Sequence, residues 1–178
     1  MPFTRCIFIG KTGVGKTTLL RCAAQQNVDT PPPTMGVDLV TCATGHGKLL
    51  CWDTSGQVKF RTIVGMFFKD CRVVVYVYDV TDPDSLDCIE EWYDHTPHQH
   101  DRLFILVGNR KGPSRVNHAN ILRLCERGNM IHLTCDSLCR DSVETLFEHI
   151  VYHARPFRDP LQVESSVQER VCLHCSVQ

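Results

Sequence analysis

The chain has 178 residues, 43% of them apolar and 22% charged, with 19 basic residues against 20 acidic ones. That size and composition fit one globular domain able to bury a core, and exclude a chain disordered throughout. A net charge of −1 argues against nucleic-acid binding driven by phosphate contacts, and no apolar run approaches the roughly 20 residues of a membrane span.

Met1-Pro2-Phe3-Thr4-Arg5 runs at once into an apolar stretch, which leaves no room for a signal peptide. Pro2 rules out N-myristoylation. The expectation is a cytosolic chain. Its eleven cysteines then read as small hydrophobes and not as disulfide partners, with Cys6, Cys51, Cys71 and Cys125 inside apolar runs.

β-rich runs and helix-period segments alternate along the chain. The first strand spans Arg5–Gly10, and a helix over Lys16–Ala24 follows a Gly-rich turn. Two short runs within Val40–Trp52 flank Gly45-His46-Gly47 and predict a hairpin. Phe60–Lys69 places Phe60, Ile63, Val64, Phe67 and Phe68 along one helical face. A strand over Val73–Asp79 leads through Asp82-Pro83-Asp84, a helix-entry signal, into a helix over Ser85–Trp92. His95, His98 and His100 read as a solvated loop, since no partner with zinc-site spacing follows. Leu103–Gly108, Asn117–Arg127, Met130–Thr134 and Asp141–His153 continue as strand, helix, strand, helix, with Asp141 and Glu144 as a capping box. The pattern predicts an α/β fold: a mostly parallel sheet, one antiparallel edge hairpin and helices on both faces. Residues 155–178 are polar and read as a flexible tail after a domain over 1–154.

Gly10-Lys11-Thr12-Gly13-Val14-Gly15-Lys16-Thr17 fits G-x-x-x-x-G-K-[ST] at every fixed position. Glycine lets the backbone wrap closely, so that successive N–H groups face phosphate oxygens. Lys16 reaches the β- and γ-phosphates, the Thr17 hydroxyl can ligate Mg²⁺, and the helix that follows adds its positive dipole end. Further on, Trp52-Asp53-Thr54-Ser55-Gly56-Gln57 closes an apolar strand. Asp53 can hold Mg²⁺ through water, Gly56 can offer an N–H to a γ-phosphate, and Gln57 can orient an attacking water. Thr34 lies in a loop upstream, placed for Mg²⁺ and the γ-phosphate.

With these residues the chain resembles the small GTPases of the Ras superfamily, and the Rab branch most closely, over about residues 5–154. Met35-Gly36-Val37-Asp38-Leu39 is similar to IGVDF, Lys48-Leu49-Leu50-Cys51-Trp52 to KLQIW, Lys59-Phe60-Arg61-Thr62-Ile63 to RFRSI, Phe67-Phe68-Lys69-Asp70-Cys71 to YYRGA, and Val75–Thr81 to LVVYDIT. The resemblance implies the six-stranded P-loop GTPase fold, bound GTP or GDP with Mg²⁺, slow hydrolysis, and a monomeric switch in vesicle traffic. It implies two switch segments, 31–39 and 53–70. An exchange factor, a GTPase-activating protein and effectors would read them, the effectors through a triad at Leu39, Trp52 and Phe67. Pro31-Pro32-Pro33 stiffens the first switch.

The base side departs from the family. N-K-x-D becomes Asn109-Arg110-Lys111-Gly112, which removes the carboxylate that accepts from guanine N1 and N2. S-A-K becomes Thr134-Cys135-Asp136, where the Cys135 N–H remains placed for the guanine O6. An aromatic seven residues before Thr34 becomes Asn27. Asn109, Arg110, Thr134, Cys135 and Asp136 are the base-side candidates. Either Asp136 replaces the missing carboxylate, or discrimination between bases is poor. The alternative to a working GTPase is an interaction module on the same fold, with weak or relaxed nucleotide binding. Cys175-Ser176-Val177-Gln178 fits a prenylation box, with Cys172 as a second lipid site. Together these imply the cytoplasmic face of an intracellular membrane, with a cytosolic pool.

Overall fold

The computed structural model describes residues 3–28, 31–97 and 102–154. Six strands form one sheet: β1 (Phe3–Ile9), β2 (Val37–Thr44), β3 (Gly47–Thr54), β4 (Val73–Asp79), β5 (Leu103–Asn109) and β6 (Ile131–Cys135), in the order β2-β3-β1-β4-β5-β6. The helices are α1 (Lys16–Ala23), α2 (Arg61–Phe67), α3 (Pro83–His95), α4 (His118–Gly128) and α5 (Arg140–Ala154). Every pairing is parallel except β2 with β3, whose ladder runs from Val37↔Thr54 to Thr44↔Gly47 around Gly45-His46. The expected architecture and the edge hairpin are both present.

Two-residue periodicity divides the strand side chains between two cores. Cys6 and Phe8 of β1 face α1 and α5, where Leu19, Leu20, Val143, Leu146 and Phe147 are buried. Phe8 stacks on Phe147 with ring centroids 5.8 Å apart. Ile7 and Ile9 face α2, α3 and α4, against Val64, Leu86, Ile89, Trp92 and Leu124. β4 is buried along its whole length, as a central parallel strand covered on both faces must be. Its two tyrosines keep their hydroxyls satisfied: Tyr76 donates to Thr96 Oγ1 at 2.7 Å, and the Tyr78 hydroxyl lies 3.0 Å from His132 Nε2. Cys6, Cys51 and Cys71 are buried and Cys125 is half-buried, all as free thiols.

Three local expectations change. The single helix over Phe60–Lys69 is a 3₁₀ turn (Val58–Phe60), then α2, then a second 3₁₀ turn (Phe68–Asp70). A 3₁₀ turn advances each side chain further around the axis than an α-helix does, so the apolar stripe breaks. Val64 and Phe68 are buried while Ile63 is 43% exposed. Asp141 does not cap α5: the helix begins at Arg140, and the Val143 N–H already donates to Cys139 O. Asp141 sits instead in the first turn, where its charge suits the dipole. β2 begins at Val37 rather than Val40, because Val37 and Asp38 already pair with Thr54 and Asp53. His95 is the last residue of α3. His98, His100, Cys172, Cys175 and the expected tail lie outside the described residues.

Candidate nucleotide-binding site

At the C-terminal ends of β1, β3 and β5, loops converge on a cleft of about 280 Å³ whose walls include Gly13, Lys16, Thr17, Thr34, Ser55 and Lys111. Its floor is the turn from β1 into α1. Gly15 opens the helix at φ 102°, and a Cβ there would meet Asn109 Nδ2 at 2.3 Å. Only glycine allows both the left-handed backbone and that approach. Lys16 is 5% exposed and donates to Gly10 O at 2.8 Å and Lys11 O at 3.1 Å. Burial pushes its ammonium down to about 8, against the pull of Asp53. An arriving phosphate would reinforce the charged form.

Thr17, Thr34 and Asp53, from three separate segments, meet at one point. Thr17 donates to Asp53 Oδ2 at 2.6 Å, Thr34 donates to the same oxygen at 3.2 Å, and the two hydroxyl oxygens are 3.0 Å apart. Burial raises the Asp53 carboxyl above its ordinary range, partly offset by these hydrogen bonds and by Lys16. Asp53 Oδ1 is buried without a partner among the described residues. A cluster of hard oxygen donors with one buried carboxylate oxygen unspent fits Mg²⁺.

The segment after β3 closes the phosphate end. Gly56 lies against the Gly10–Thr12 backbone. The Ser55 N–H donates to Gly36 O at 2.8 Å, and the Gln57 N–H donates to Ser55 Oγ at 3.3 Å. Lys11 turns away from the cleft and donates to Asp82 Oδ2 at 2.9 Å. Gln57 follows Gly56 at the mouth and is not among the lining residues.

On the base side the structure sorts the candidates differently. Asn109 is fully buried; its Nδ2 donates to Val14 O at 2.8 Å and to Ser137 Oγ at 3.1 Å, while its Oδ1 accepts from the Ser137 N–H at 3.1 Å. It clips the phosphate loop to the β6–α5 loop. Arg110 and Thr134 border a separate groove between β6 and α5. Lys111 enters the cleft instead, donating to Gly13 O and lying 3.2 Å from Asp79 Oδ2. Burial pushes Asp79 up, but hydrogen bonds from Thr81 and the Lys111 ammonium outweigh it and leave the carboxyl below its ordinary range. Cys135 points into the core. Asp136 folds back to accept from the Leu138 N–H at 2.9 Å. Sequence reasoning missed Ser55, Asp79, Lys111 and Ser137. A second cation directly after Arg110 was the available signal for Lys111.

On the outer surface Trp52 and Phe67 pack with ring centroids 4.6 Å apart, and Leu39 is the cross-strand partner of Trp52. Leu39 is 52% exposed and Met35 74%. Arg61 pairs with Glu91 at 2.6 Å and lies over the Trp92 ring, which ties α2 to α3.

A phosphate loop, a threonine from the first switch and an aspartate at a strand end, set on this sheet order, define a small GTP-hydrolysing GTPase. The Ras family model matches residues 5–155. The chain is similar to the Ras-related protein Rab-18-B of Danio rerio, 30% identical over 92% of this chain and 84% of that protein. It is also similar to Rab-18 of Lymnaea stagnalis, 30% identical over 83% and 78%, and to RABC2b of Arabidopsis thaliana, 29% identical over 93% and 86%. The chain therefore belongs to the Ras family, as a divergent Rab-like member.

Proposed function

We propose that this chain is a slow GTPase switch in vesicle and membrane traffic, attached through a C-terminal lipid to the cytoplasmic face of an intracellular membrane, with a cytosolic pool. The observation that carries the reading is the meeting of Thr17, Thr34 and Asp53. It joins the phosphate loop to both switches, so that triphosphate and diphosphate differ in what they hold together.

Gly10–Thr17 cradles the phosphates, with Lys16 neutralising charge on the transferred group. Thr17, Thr34 and Asp53 would hold Mg²⁺, which supplies further charge neutralisation when bound. Gly56 offers its N–H, and Gln57 orients the attacking water. Among the described residues no arginine lines the cleft. Those residues give the cleft only the ammonium groups of Lys16 and Lys111 beside the bound metal ion, and hydrolysis stays slow until an activating protein adds a cation. Exchange factor, activating protein and effectors engage residues 31–39 and 53–70, the effectors through the Leu39, Trp52 and Phe67 surface. Membrane attachment falls to lipid at Cys175 and Cys172. In single-turnover hydrolysis Gln57→Leu should run at least tenfold slower than wild type, with GDP affinity within twofold. Equal rates would take Gln57 out of the mechanism.

A second reading, an interaction module with relaxed base specificity, has its own observation. Gly112 supplies no carboxylate, and Asp136 Oδ1 is engaged with Leu138. A Cβ at Gly112 would meet only Thr81 Cγ2, at 3.3 Å, so Gly112→Asp fits with little adjustment. Restoring a charge-assisted acceptor should raise GTP affinity tenfold or more over wild type, and selectivity over ATP with it. A wild type that already excludes ATP, with no gain from Gly112→Asp, defeats this second reading.

A further inference from the structure

The Ser55 side chain has no role in the account above, yet it is 2% exposed and lines the phosphate cleft. It lies in the second switch segment and reaches back to the first. Its N–H donates to Gly36 O at 2.8 Å, at the end of the first switch, and its Oγ accepts from the Gln57 N–H at 3.3 Å, at the start of the second. A serine hydroxyl has one proton to donate besides its two acceptor lone pairs. The contact with Gln57 uses a lone pair. The proton has no acceptor among the described residues, in a position where a buried polar group is normally satisfied.

We infer that Ser55 is a positioning residue for hydrolysis and a specificity residue for the triphosphate. Its hydroxyl holds the Gln57 backbone as acceptor and gives its proton to an oxygen of the γ-phosphate as donor. One oxygen then reads the third phosphate and sets the residue that orients water. Alanine in the same place would do neither, and the Gly36 contact, made by the main chain, would survive that substitution. The inference rests on the role of Gln57 proposed above.

The test uses the full chain and three measurements on Ser55→Ala: affinity for GDP, affinity for a non-hydrolysable GTP analogue, and single-turnover hydrolysis. GDP affinity should stay within twofold. Analogue affinity should fall roughly tenfold or more, as for a hydrogen bond to a charged phosphate oxygen. Hydrolysis should slow by a similar factor, and Gln57→Ala should cost less on the Ser55→Ala background than on wild type, because the two side chains act in series. Ser55→Gly removes the hydroxyl without adding bulk and must show the same split if Ser55→Ala does not fold. Equal losses for GDP and analogue, or an unchanged rate, overturn the inference. If wild type neither binds the analogue nor hydrolyses GTP, the proposed function fails first, which separates the two cases.

Discussion

Asn109→Ala should lower the melting temperature by roughly 10 °C and weaken nucleotide binding together. The side chain is fully buried and makes three hydrogen bonds, to Val14 O, Ser137 Oγ and the Ser137 N–H. Alanine leaves those partners buried and unpaired, at about 1 kcal/mol or more each. A total of about 3–4 kcal/mol shifts a domain of this size by roughly 2–4 °C per kcal/mol. Binding falls as well because the clip fixes the phosphate loop against the β6–α5 loop. Calorimetry and GDP titration of the variant check both parts. A melting point within 2 °C of wild type would show that the loops do not depend on this side chain.

Gly56→Ala carries the second large effect, and it should fall on the triphosphate state rather than on the fold. The added Cβ would lie 2.3 Å from Thr12 N, 2.5 Å from Lys11 C and 2.6 Å from Gly10 O, all main-chain atoms. None can swing aside as a side chain could, so the start of the second switch must back away from the phosphate loop. Overpacking of this kind costs on the order of 1–3 kcal/mol. The loop can relieve it by opening, so the loss appears where closure is needed. GTP-analogue affinity should fall by at least tenfold and GDP affinity by less than threefold, with little change in melting temperature. Parallel losses for the two nucleotides would mean that Gly56 serves the phosphate loop in both states.

The phosphate side was legible in the sequence because backbone geometry dictates it. Glycines at fixed spacing, a strand before and a helix after leave one arrangement for Gly10–Thr17. The strands were legible as short apolar, β-rich runs between turn residues, except that β2 pairs from Val37. The base side was not, because loop register decides it. Nothing in Asn109-Arg110-Lys111-Gly112 says which cation turns toward Gly13 and which toward α5. A shift of one residue reverses the answer. Ser137 was hidden for the same reason: its value lies in facing Asn109 across 28 positions of chain. The stripe from Phe60 to Phe68 misled in another way, since surface packing and 3₁₀ geometry overrode its periodicity.

The thiols of the sheet give the molecule a built-in clock. Cys6, Cys42, Cys51, Cys71 and Cys135 are buried, whereas Cys139 is exposed. Burial also raises the Cys51 and Cys71 thiols above their ordinary range, which keeps them protonated and unreactive. A thiol reagent therefore marks Cys139 on contact and the interior only as fast as the sheet opens. The order in which the interior cysteines become labelled is a map of which layer lets go first.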